Sequence, residues 1–448
     1  MSSAFQDVSI GIDFGTSNTV VAIADRGGRV EALTFDHRGA RLRIYTTALC
    51  FWDERDGNGL RTRVEGGPWA IERFLEGVSA HRFIQSFKTF AASASFQETR
   101  IFRERFRFED LLSTFLRTLL QHAGGRIDLA AGNITIGRPV EFAGYNPDDA
   151  LAMRRYGTAF GKLGAGHARY AYEPVGAAFF YARELTRDAT VLVADFGGGT
   201  SDFSVMRFSR VGGALRAEPL SHTGIGIAGD AFDYRIVDRI VSPRLGKGGS
   251  YRSMGKILSI PNHYYANFAR WNQLALMKGN GDLKELRELA RSALDPEPLE
   301  RFADIVEYDL GFDLYRAVSA AKVALSSEEE TEFRFRAEGI EVCAPVTRSQ
   351  FESWIAEDVR SIGDTVDRAL LSARVRPEEI DRVFLTGGTS FVPAIRRLFL
   401  ERFGESRLSS ADQFESIAYG LALIGQTDDP DRWVVGPRER ERATMSLP

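Results

Sequence analysis

A short motif occurs twice in this chain, and this duplication constrains the fold more than any other feature. The first copy, at residues 11–17, reads GIDFGTS, and the second copy, at residues 193–201, reads VADFGGGTS. Each copy runs from an apolar stretch rich in β-branched residues, through Asp and small residues, into a second apolar stretch. This order predicts a strand, a tight glycine turn and a second strand in both places. Two such hairpins suggest two related halves that hold one ligand.

The residue types in the two turns favour an anionic ligand, and phosphate in particular. Glycines let backbone N–H groups converge on one point without a Cβ in the way, which forms an anion-binding concavity. Asp13 and Asp195, at the strand ends, can hold hydrated Mg²⁺ against phosphate oxygens. Hydroxyl groups add further hydrogen-bond donors. The turn residues of the two copies are Gly15, Thr16, Ser17, Gly197, Gly198, Gly199, Thr200 and Ser201.

Three competing interpretations of local motifs are weaker. The Asp-Phe-Gly triplet also occurs in protein kinases, but there it accompanies a Val-Ala-Ile-Lys strand and a His-Arg-Asp loop, and this sequence has neither. Residues 224–229 fit the dinucleotide-binding pattern G-x-G-x-x-G, yet no strand with a terminal acid is evident about 20 residues further on. Residues 100–107 interleave basic and apolar side chains, which a half-exposed strand explains better than a nucleic-acid contact.

Length, charge and cysteine content limit the class of protein. A chain of 448 residues is too long for one ordinary core, so two domains or lobes are expected. A net charge of −4 provides no overall field for nucleic acid or an anionic membrane, and neither is predicted as a partner. Two cysteines, Cys50 and Cys343, cannot make a disulfide framework. The sequence shows neither a signal-peptide pattern nor a run of about 18 apolar residues, which predicts a cytoplasmic protein.

Predicted strands and helices alternate along the chain, which favours the α/β class. Phe106 to Ala123 carries apolar residues at helical spacing, and a mostly helical stretch runs from about residue 262 to 327. Residues 383–388 form a predicted strand that meets a glycine turn, followed by a helix from Pro393 to Phe403. Residues 426–448 are rich in Asp, Arg and Pro without an apolar period, which predicts a flexible tail.

Five segments, in order, resemble the actin-like ATPase superfamily and, within it, the nucleotide-binding domain of the DnaK-type heat-shock chaperones. The two hairpins resemble the family's phosphate loops. Residues 172–178 (YEPVGAA) resemble its first interdomain connection, residues 383–393 its adenosine motif, and residues 415–420 (ESIAYG) its second connection. The resemblance spans about residues 8 to 425. It implies the actin-like (ribonuclease H-like) α/β fold, with two duplicated lobes around a central nucleotide cleft.

The resemblance also implies a division of the chain. Lobe I would comprise residues 1–189, with a subdomain inserted at about residues 45–125. Lobe II would comprise residues 190–425, with a subdomain inserted at about residues 235–318. The remaining residues, 426–448, are too few for the peptide-binding β-sandwich of the family's chaperones. The chain therefore resembles the truncated YegD-like branch, which leaves open whether chaperone activity accompanies ATP binding.

At matching positions, the resemblance implies how the chain would hold Mg²⁺ and ATP or ADP. Asp13 and Asp195 would orient the hydrated metal, and Asp202 would support its water shell. Thr16 and Thr200 would contact the β- and γ-phosphates. These parts are the ones that phosphoryl transfer to water needs.

Two further residues would take part in a slow ATP hydrolysis. Lys88 lies in a segment, FIQSFKTF at residues 83–90, that resembles the one with the family's phosphate-contacting lysine. Glu173 would help to place the attacking water. Lys88, Glu173, Asp195 and Thr200 are therefore the predicted catalytic residues.

The nucleoside would lie on backbone and on one helix. Gly387 and Gly388 would let it approach the chain, while the family's arginine over adenine is replaced by Phe391 and its usual helix pattern is altered at Val323. An aromatic face at Phe391 predicts that nucleotide binding persists with altered base selectivity or affinity. The predicted contacts to the nucleoside, ribose and phosphates are Gly229, Asp230, Lys322, Ser326, Gly387, Gly388 and Phe391.

The resemblance favours an ATPase whose lobes close around nucleotide and act on an unknown protein client or partner, with the chain as a monomer. A small-molecule kinase on the same fold is an alternative, and it would need an acceptor pocket and an Asp base between the lobes. A filament-forming or scaffolding actin-like ATPase is another. No feature of the sequence identifies a polymer interface.

Overall fold

The computed structural model describes residues 8–57, 59–77, 80–144, 146–211, 214–410 and 415–435. The strands are β1 (Ser9–Phe14), β2 (Asn18–Ala24), β3 (Val30–Ala32), β4 (Phe35–His37), β5 (Ala40–Leu42), β6 (Tyr45–Thr46), β7 (Ala48–Asp56), β8 (Gly59–Gly66), β9 (His81–Gln85), β10 (Thr99–Ile101), β11 (Glu104–Phe106), β12 (Asn133–Arg138), β13 (Arg169–Tyr172), β14 (Ala189–Phe196), β15 (Ser201–Val211), β16 (Ala214–Ile225), β17 (Ser250–Ser253), β18 (Lys256–Ser259), β19 (Glu330–Ala337), β20 (Ile340–Thr347), β21 (Arg382–Thr386) and β22 (Leu408–Ser410).

The helices show the periodicity expected for one buried face, as in the second, where Phe108, Leu111, Leu112 and Phe115 point into the core. They are α1 (Gly67–Glu76), α2 (Phe108–His122), α3 (Asp149–Gly161), α4 (Glu173–Tyr181), α5 (Gly229–Ile236), α6 (Ser242–Arg244), α7 (His263–Phe268), α8 (Trp271–Met277), α9 (Asp282–Ser292), α10 (Pro296–Glu307), α11 (Gly311–Ser327), α12 (Arg348–Ala373), α13 (Pro393–Phe403) and α14 (Ser416–Ile424).

Two central sheets share one plan. The first has the order β3-β2-β1-β12-β13, with β6 beside β2, and the second has the order β16-β15-β14-β21-β22. In each sheet the central strand pairs antiparallel with the next strand of the chain and parallel with a strand that follows a crossover. The α/β class and the duplication predicted from the motif are therefore confirmed. Both predicted hairpins are present, as β1–β2 and β14–β15.

Helices α4 and α14 cross at a point where two glycines meet. A Cβ on Gly420 would lie 1.6 Å from the carbonyl oxygen of Gly176, so neither residue can carry a side chain without moving a helix. Helix α14 also packs on β1 and β2 through Ala418 and Ala422. The predicted boundary at residue 425 assigned α14 to lobe II, but this small-residue face places it on the first sheet.

The two regions predicted as inserted subdomains contact each other above the sheets. The first contains the three-stranded sheet β8-β7-β9, and the second contains helices α7 to α10 with the hairpin β17–β18. The ring of Phe312 lies 5.6 Å from that of Phe74 and 5.5 Å from that of Phe83. The amide Nδ2 of Asn272 donates to Thr89 Oγ1 at 2.9 Å. The two regions are thus in direct contact at this end.

Part of the predicted flexible tail is packed. A short 3₁₀ helix spans Pro430–Trp433, and the buried Trp433 ring meets Phe179 edge-on at 4.8 Å. The backbone N–H of Val435 donates to Tyr170 O at 2.8 Å, which ties the segment to β13. One aromatic anchor outweighs the polar composition here, and the prediction is wrong for these residues. Residues 436–448 lie outside the described part of the chain.

The segment at residues 100–107 was expected to be a half-exposed strand. Residues 100–107 form a tight hairpin, β10–β11, rather than one strand. Within the described residues, no helix combines the length and apolar character needed to cross a bilayer.

Candidate functional site

The two glycine turns close in the same way. In the first, the Gly15 N–H donates to Asn18 O at 3.0 Å, and in the second the Gly197 N–H donates to Thr200 O at 2.9 Å. Each bond links a glycine to the residue three positions later. A Cβ on Gly15 would lie 2.3 Å from Asn18 O, so this turn requires glycine.

The two turns face each other across a narrow gap. A Cβ on Gly198 would lie 3.2 Å from both Ser17 Oγ and Thr16 Cβ, and one on Gly199 would lie 3.5 Å from Thr16 Oγ1. The glycines therefore keep open a space that side chains would fill. Residues more than 180 positions apart in the chain line this one cradle, which combines hydroxyl groups with backbone free of side chains. This geometry suits a compact anion.

A buried ion pair lies next to the cradle. Lys88 Nζ donates to Glu173 Oε1 at 2.7 Å, and the two residues are only 8% and 5% exposed. A 3₁₀ helix over Phe87–Phe90 carries the lysine, and the first turn of α4 carries the glutamate. Although burial disfavours its charge, the carboxylates of Glu173 and Asp13 hold the pKa of Lys88 above its ordinary value.

Three aspartates share this region with Lys88 and carry more negative charge than it can neutralise. Burial and the nearby Glu173 raise the pKa of Asp13 to about 7, with Lys88 opposing. The same two causes raise the pKa of Asp202 to about 7 and that of Asp195 well above its usual range. The excess of carboxylates makes the site ready for a cation.

Asp202 shows most directly that positive charge is missing from this group of carboxylates. Its Oδ1 accepts the N–H groups of Val140 and Glu141, at 2.7 and 3.2 Å, while its Oδ2 is buried without a hydrogen-bond partner among the described residues. Within those residues no three carboxylate, imidazole or thiolate groups converge as direct ligands of one ion. The unpartnered Oδ2, among several carboxylates, fits a hydrated divalent cation held through its waters, which is how Mg²⁺ is commonly bound.

A second charged group borders the cradle on the lobe II side. Lys322 Nζ lies 2.6 Å from Asp233 Oδ1 and 3.4 Å from the carbonyl oxygen of Gly229. Asp230 donates its backbone N–H to Gly198 O at 2.8 Å, which joins α5 to the second turn. Withdrawal from water and the charge of Asp233 raise the pKa of Asp230 to about 7, with Lys322 opposing.

The other predicted nucleoside contacts differ in how closely they are packed. Gly387 has φ +84°, and a Cβ there would lie 2.0 Å from Phe196 O, so this turn too requires glycine. Gly388 has open space around it. Phe391 is 45% exposed. The Ser326 hydroxyl donates to Lys322 O within its own helix, at 3.0 Å.

The structure adds positioning residues that sequence reasoning missed. The buried guanidinium of Arg155, on α3, donates to four backbone carbonyls that follow Lys88: Phe90 O at 2.8 Å, Ala91 O at 3.0 Å, Ser93 O at 3.1 Å and Phe96 O at 2.6 Å. It therefore fixes the loop behind the lysine. Asp233, the partner of Lys322, was also missed. An isolated Arg or Asp in a helix gives no sequence signal, because its partners come from other elements.

Comparison with known proteins agrees with this arrangement. A family model described as Hsp70 protein matches residues 311–435. Curated relatives include the chaperone protein DnaK of Thermosipho melanesiensis, 27% identical over 433 residues, which are 94% of this chain and 59% of the relative. The DnaK of Thermus thermophilus is 24% identical over 431 residues (93% and 60%), and that of Deinococcus deserti is 23% identical over 423 residues (93% and 59%).

The chain thus spans about three-fifths of the length of these curated relatives. The resemblance predicted from the five motifs is confirmed, because the relatives align with nearly the whole chain and the fold is the one expected. By sequence and by architecture, this chain is similar to the nucleotide-binding domain of the DnaK-type Hsp70 proteins.

Proposed function

We propose that this chain is a Mg²⁺-dependent ATPase whose two lobes close around ATP and transmit the change to a partner protein. The observation that supports this most is the buried Lys88–Glu173 pair, which lies beside an excess of carboxylates and between two facing glycine turns. Such a site holds fixed charges where a triphosphate and its metal would bring theirs. The DnaK relatives are chaperones, so a chaperone-like role for this chain belongs to the same proposal.

The chain's own groups divide the work of hydrolysis. The backbone N–H groups and hydroxyls of the two turns would hold the β- and γ-phosphates, and Lys88 would neutralise the developing charge. Glu173 would then be free to orient the attacking water. Mg²⁺, when bound through water by Asp13, Asp195 and Asp202, supplies further charge stabilisation. Because the charges are fixed before ATP binds, little reorganisation is needed during the reaction.

Closure of the lobes would be the conformational change that the protein transmits to its partner. Asn272 and Thr89 already form a hydrogen bond across the cleft, at 2.9 Å, and Phe312 contacts two phenylalanines of the other lobe. Loss of the γ-phosphate would remove contacts from both turns and so weaken the closed arrangement. We propose that a client or partner protein responds to this change, and that the chain acts as a monomer in the cytoplasm.

ATP binding by calorimetry, with and without Mg²⁺, tests the metal part of this proposal. Asp13→Ala and Asp195→Ala should each weaken Mg²⁺-dependent ATP binding at least tenfold, because each removes an acceptor for the metal's water shell. Asp428→Ala, in an exposed segment, serves as the matched control and should bind like the wild type. Wild-type affinity for Mg·ATP in both cleft variants would contradict the proposed metal site. Phosphate release without any acceptor molecule would separate an ATPase from a small-molecule kinase.

A further inference from the structure

A small cavity lies between the two inserted subdomains, apart from the glycine turns. Phe74, Arg82 and Gln85 line it from the first subdomain, and Trp271, Leu274 and Phe312 line it from the second and the start of α11. Its volume is about 50 Å³, which is room for a few waters or a group the size of a carboxylate, and it is partly open to solvent. Most of the wall is aromatic or aliphatic.

The polar side chains of this wall are the donors of Arg82 and Trp271, the amide of Gln85 and the carboxylate of Asp309. No hydrogen bond or ion pair to the Arg82 side chain occurs among the described residues, and the nearby Asp309 is held instead by Lys278, at 2.6 Å. Burial lowers the pKa of the Arg82 guanidinium, with the charge of Asp309 opposing. The Trp271 Nε1–H is buried and likewise has no acceptor in the described part of the chain. The amide of Gln85 has no hydrogen bond there either.

This combination is energetically unusual. A buried donor without an acceptor costs free energy, and a charged donor costs more, so such groups are normally paired. Here the buried indole N–H of Trp271 shares a largely apolar cavity with the partly exposed guanidinium of Arg82. A ligand that supplies acceptor oxygens would remove this cost, and a planar carboxylate matches the fork of a guanidinium in two parallel hydrogen bonds.

We propose that this cavity is a binding site for a small monocarboxylate with an apolar body. The carboxylate pairs with Arg82, and the apolar body packs against Leu274, Phe312 and the indole of Trp271. Because the walls come from both lobes, the ligand binds the closed arrangement better than an open one. This last step rests on the proposed function, whereas binding itself does not.

Binding to the full chain, without nucleotide, tests the site directly. We name benzoate and isovalerate as aromatic and branched aliphatic probes, each compared with its neutral amide by saturation-transfer NMR and by titration. At least one acid should bind, and its amide should bind at least tenfold more weakly, because a hydrogen bond between charged groups is lost. Arg82→Gln should weaken the acid at least tenfold, while Arg117→Gln, exposed on α2, should not. No binding by either acid, or equal binding to wild type and Arg82→Gln, would overturn the proposal.

Stability provides a second test that does not need a ligand. Since Arg82 has no acceptor to lose, Arg82→Gln should leave the melting temperature unchanged or raise it. Arg155→Gln removes a donor from four carbonyls and should lower it clearly. A large destabilisation by Arg82→Gln would show that the side chain is already paired, and would contradict the proposed site.

Release of a fluorescent ADP tests the link between the two sites. The bound acid should slow the release of ADP from the wild type, and ADP should tighten acid binding by the same factor. Linkage requires this equality of the equilibrium affinities when the association rate of ADP is unchanged. If the acid binds at Arg82 but ADP affinity does not respond, the link to closure is wrong and the cavity remains a binding site. If ADP itself does not bind, the proposed function fails while the binding test above still stands.

Discussion

The inner and outer ends of the cleft are built differently. At the inner end, charged groups are withdrawn from water: Asp202 is 0% exposed and Lys88 is 8% exposed. At the outer end, Phe391 is 45% exposed and Val323, on α11, is 68% exposed. Buried charges act strongly because water does not screen them, whereas an exposed ring contributes mainly a surface for stacking. The inner end should therefore control chemistry, and the outer end should adjust affinity.

Removal of Lys88 should produce the largest effect. Lys88→Ala leaves the neighbouring carboxylates without their cation and removes a fixed positive charge from the proposed site of phosphoryl transfer. We expect hydrolysis to fall about 10²–10³-fold, as for loss of one preorganised donor. Lys256→Ala, exposed on the hairpin β17–β18, is the control. Single-turnover hydrolysis within a factor of two of wild type would show that the inner end does not act through this charge.

The pH dependence of stability should be smaller but specific to the inner end. The folded-state pKa of Asp202 is raised to about 7, above its unfolded value, so the native state holds this proton longer than the unfolded state. The free energy of unfolding should therefore fall as pH rises from about 4 to about 7, by at most about 1.4 kcal/mol per pH unit for one group. It should level off above pH 7.

Urea denaturation of the nucleotide- and metal-free protein at pH 5 and pH 8 measures this effect. Asp202→Asn keeps the Oδ1 acceptor for Val140 and Glu141 but cannot ionise, so it should lose that part of the slope. Mg²⁺ should favour the ionised form and raise stability more at pH 8 than at pH 5. A slope unchanged by Asp202→Asn would mean that this carboxyl titrates normally.

The outer end should give the smallest effect. Phe391→Ala removes an exposed ring and should weaken ATP about fivefold, which corresponds to about 1 kcal/mol at the low end of base–aromatic stacking. The ratio of ATP to GTP affinity should change as well, while the hydrolysis rate of bound ATP should not. Leu400→Ala, a similarly exposed apolar residue on α13, is the control. Unchanged affinity and ratio would remove Phe391 from the nucleotide site.

The sequence predicted the local parts of this site better than the long-range ones. The glycine turns follow from short-range requirements, since Gly15 and Gly387 each have backbone where a Cβ would lie, and such turns leave a readable motif. Lys88 and Glu173 were each predicted through the family resemblance, but their pairing across 85 positions of the chain was not. Nothing local indicates that these two side chains meet.

Other features left no readable pattern at all. Arg155 binds backbone carbonyls, which every residue has, so its partners cannot be inferred from residue types. The packing of Trp433 on Phe179 depends on one side chain in a polar segment. The average composition of that segment does not reveal the contribution of a single aromatic residue. The place of α14 on the first sheet depends on which face of the helix carries small residues. The role of that face becomes clear only when α4 and the sheet are both in position.

The most direct test of the central claim is single-turnover hydrolysis of Mg·ATP by Glu173→Ala, with ATP affinity measured on the same variant. Glu184→Ala, exposed just after α4, is the matched control. If the carboxylate orients water, hydrolysis should fall about 100-fold while ATP affinity stays within about threefold of wild type, since positioning acts on the transition state rather than on binding. Hydrolysis at the wild-type rate by Glu173→Ala would contradict the account.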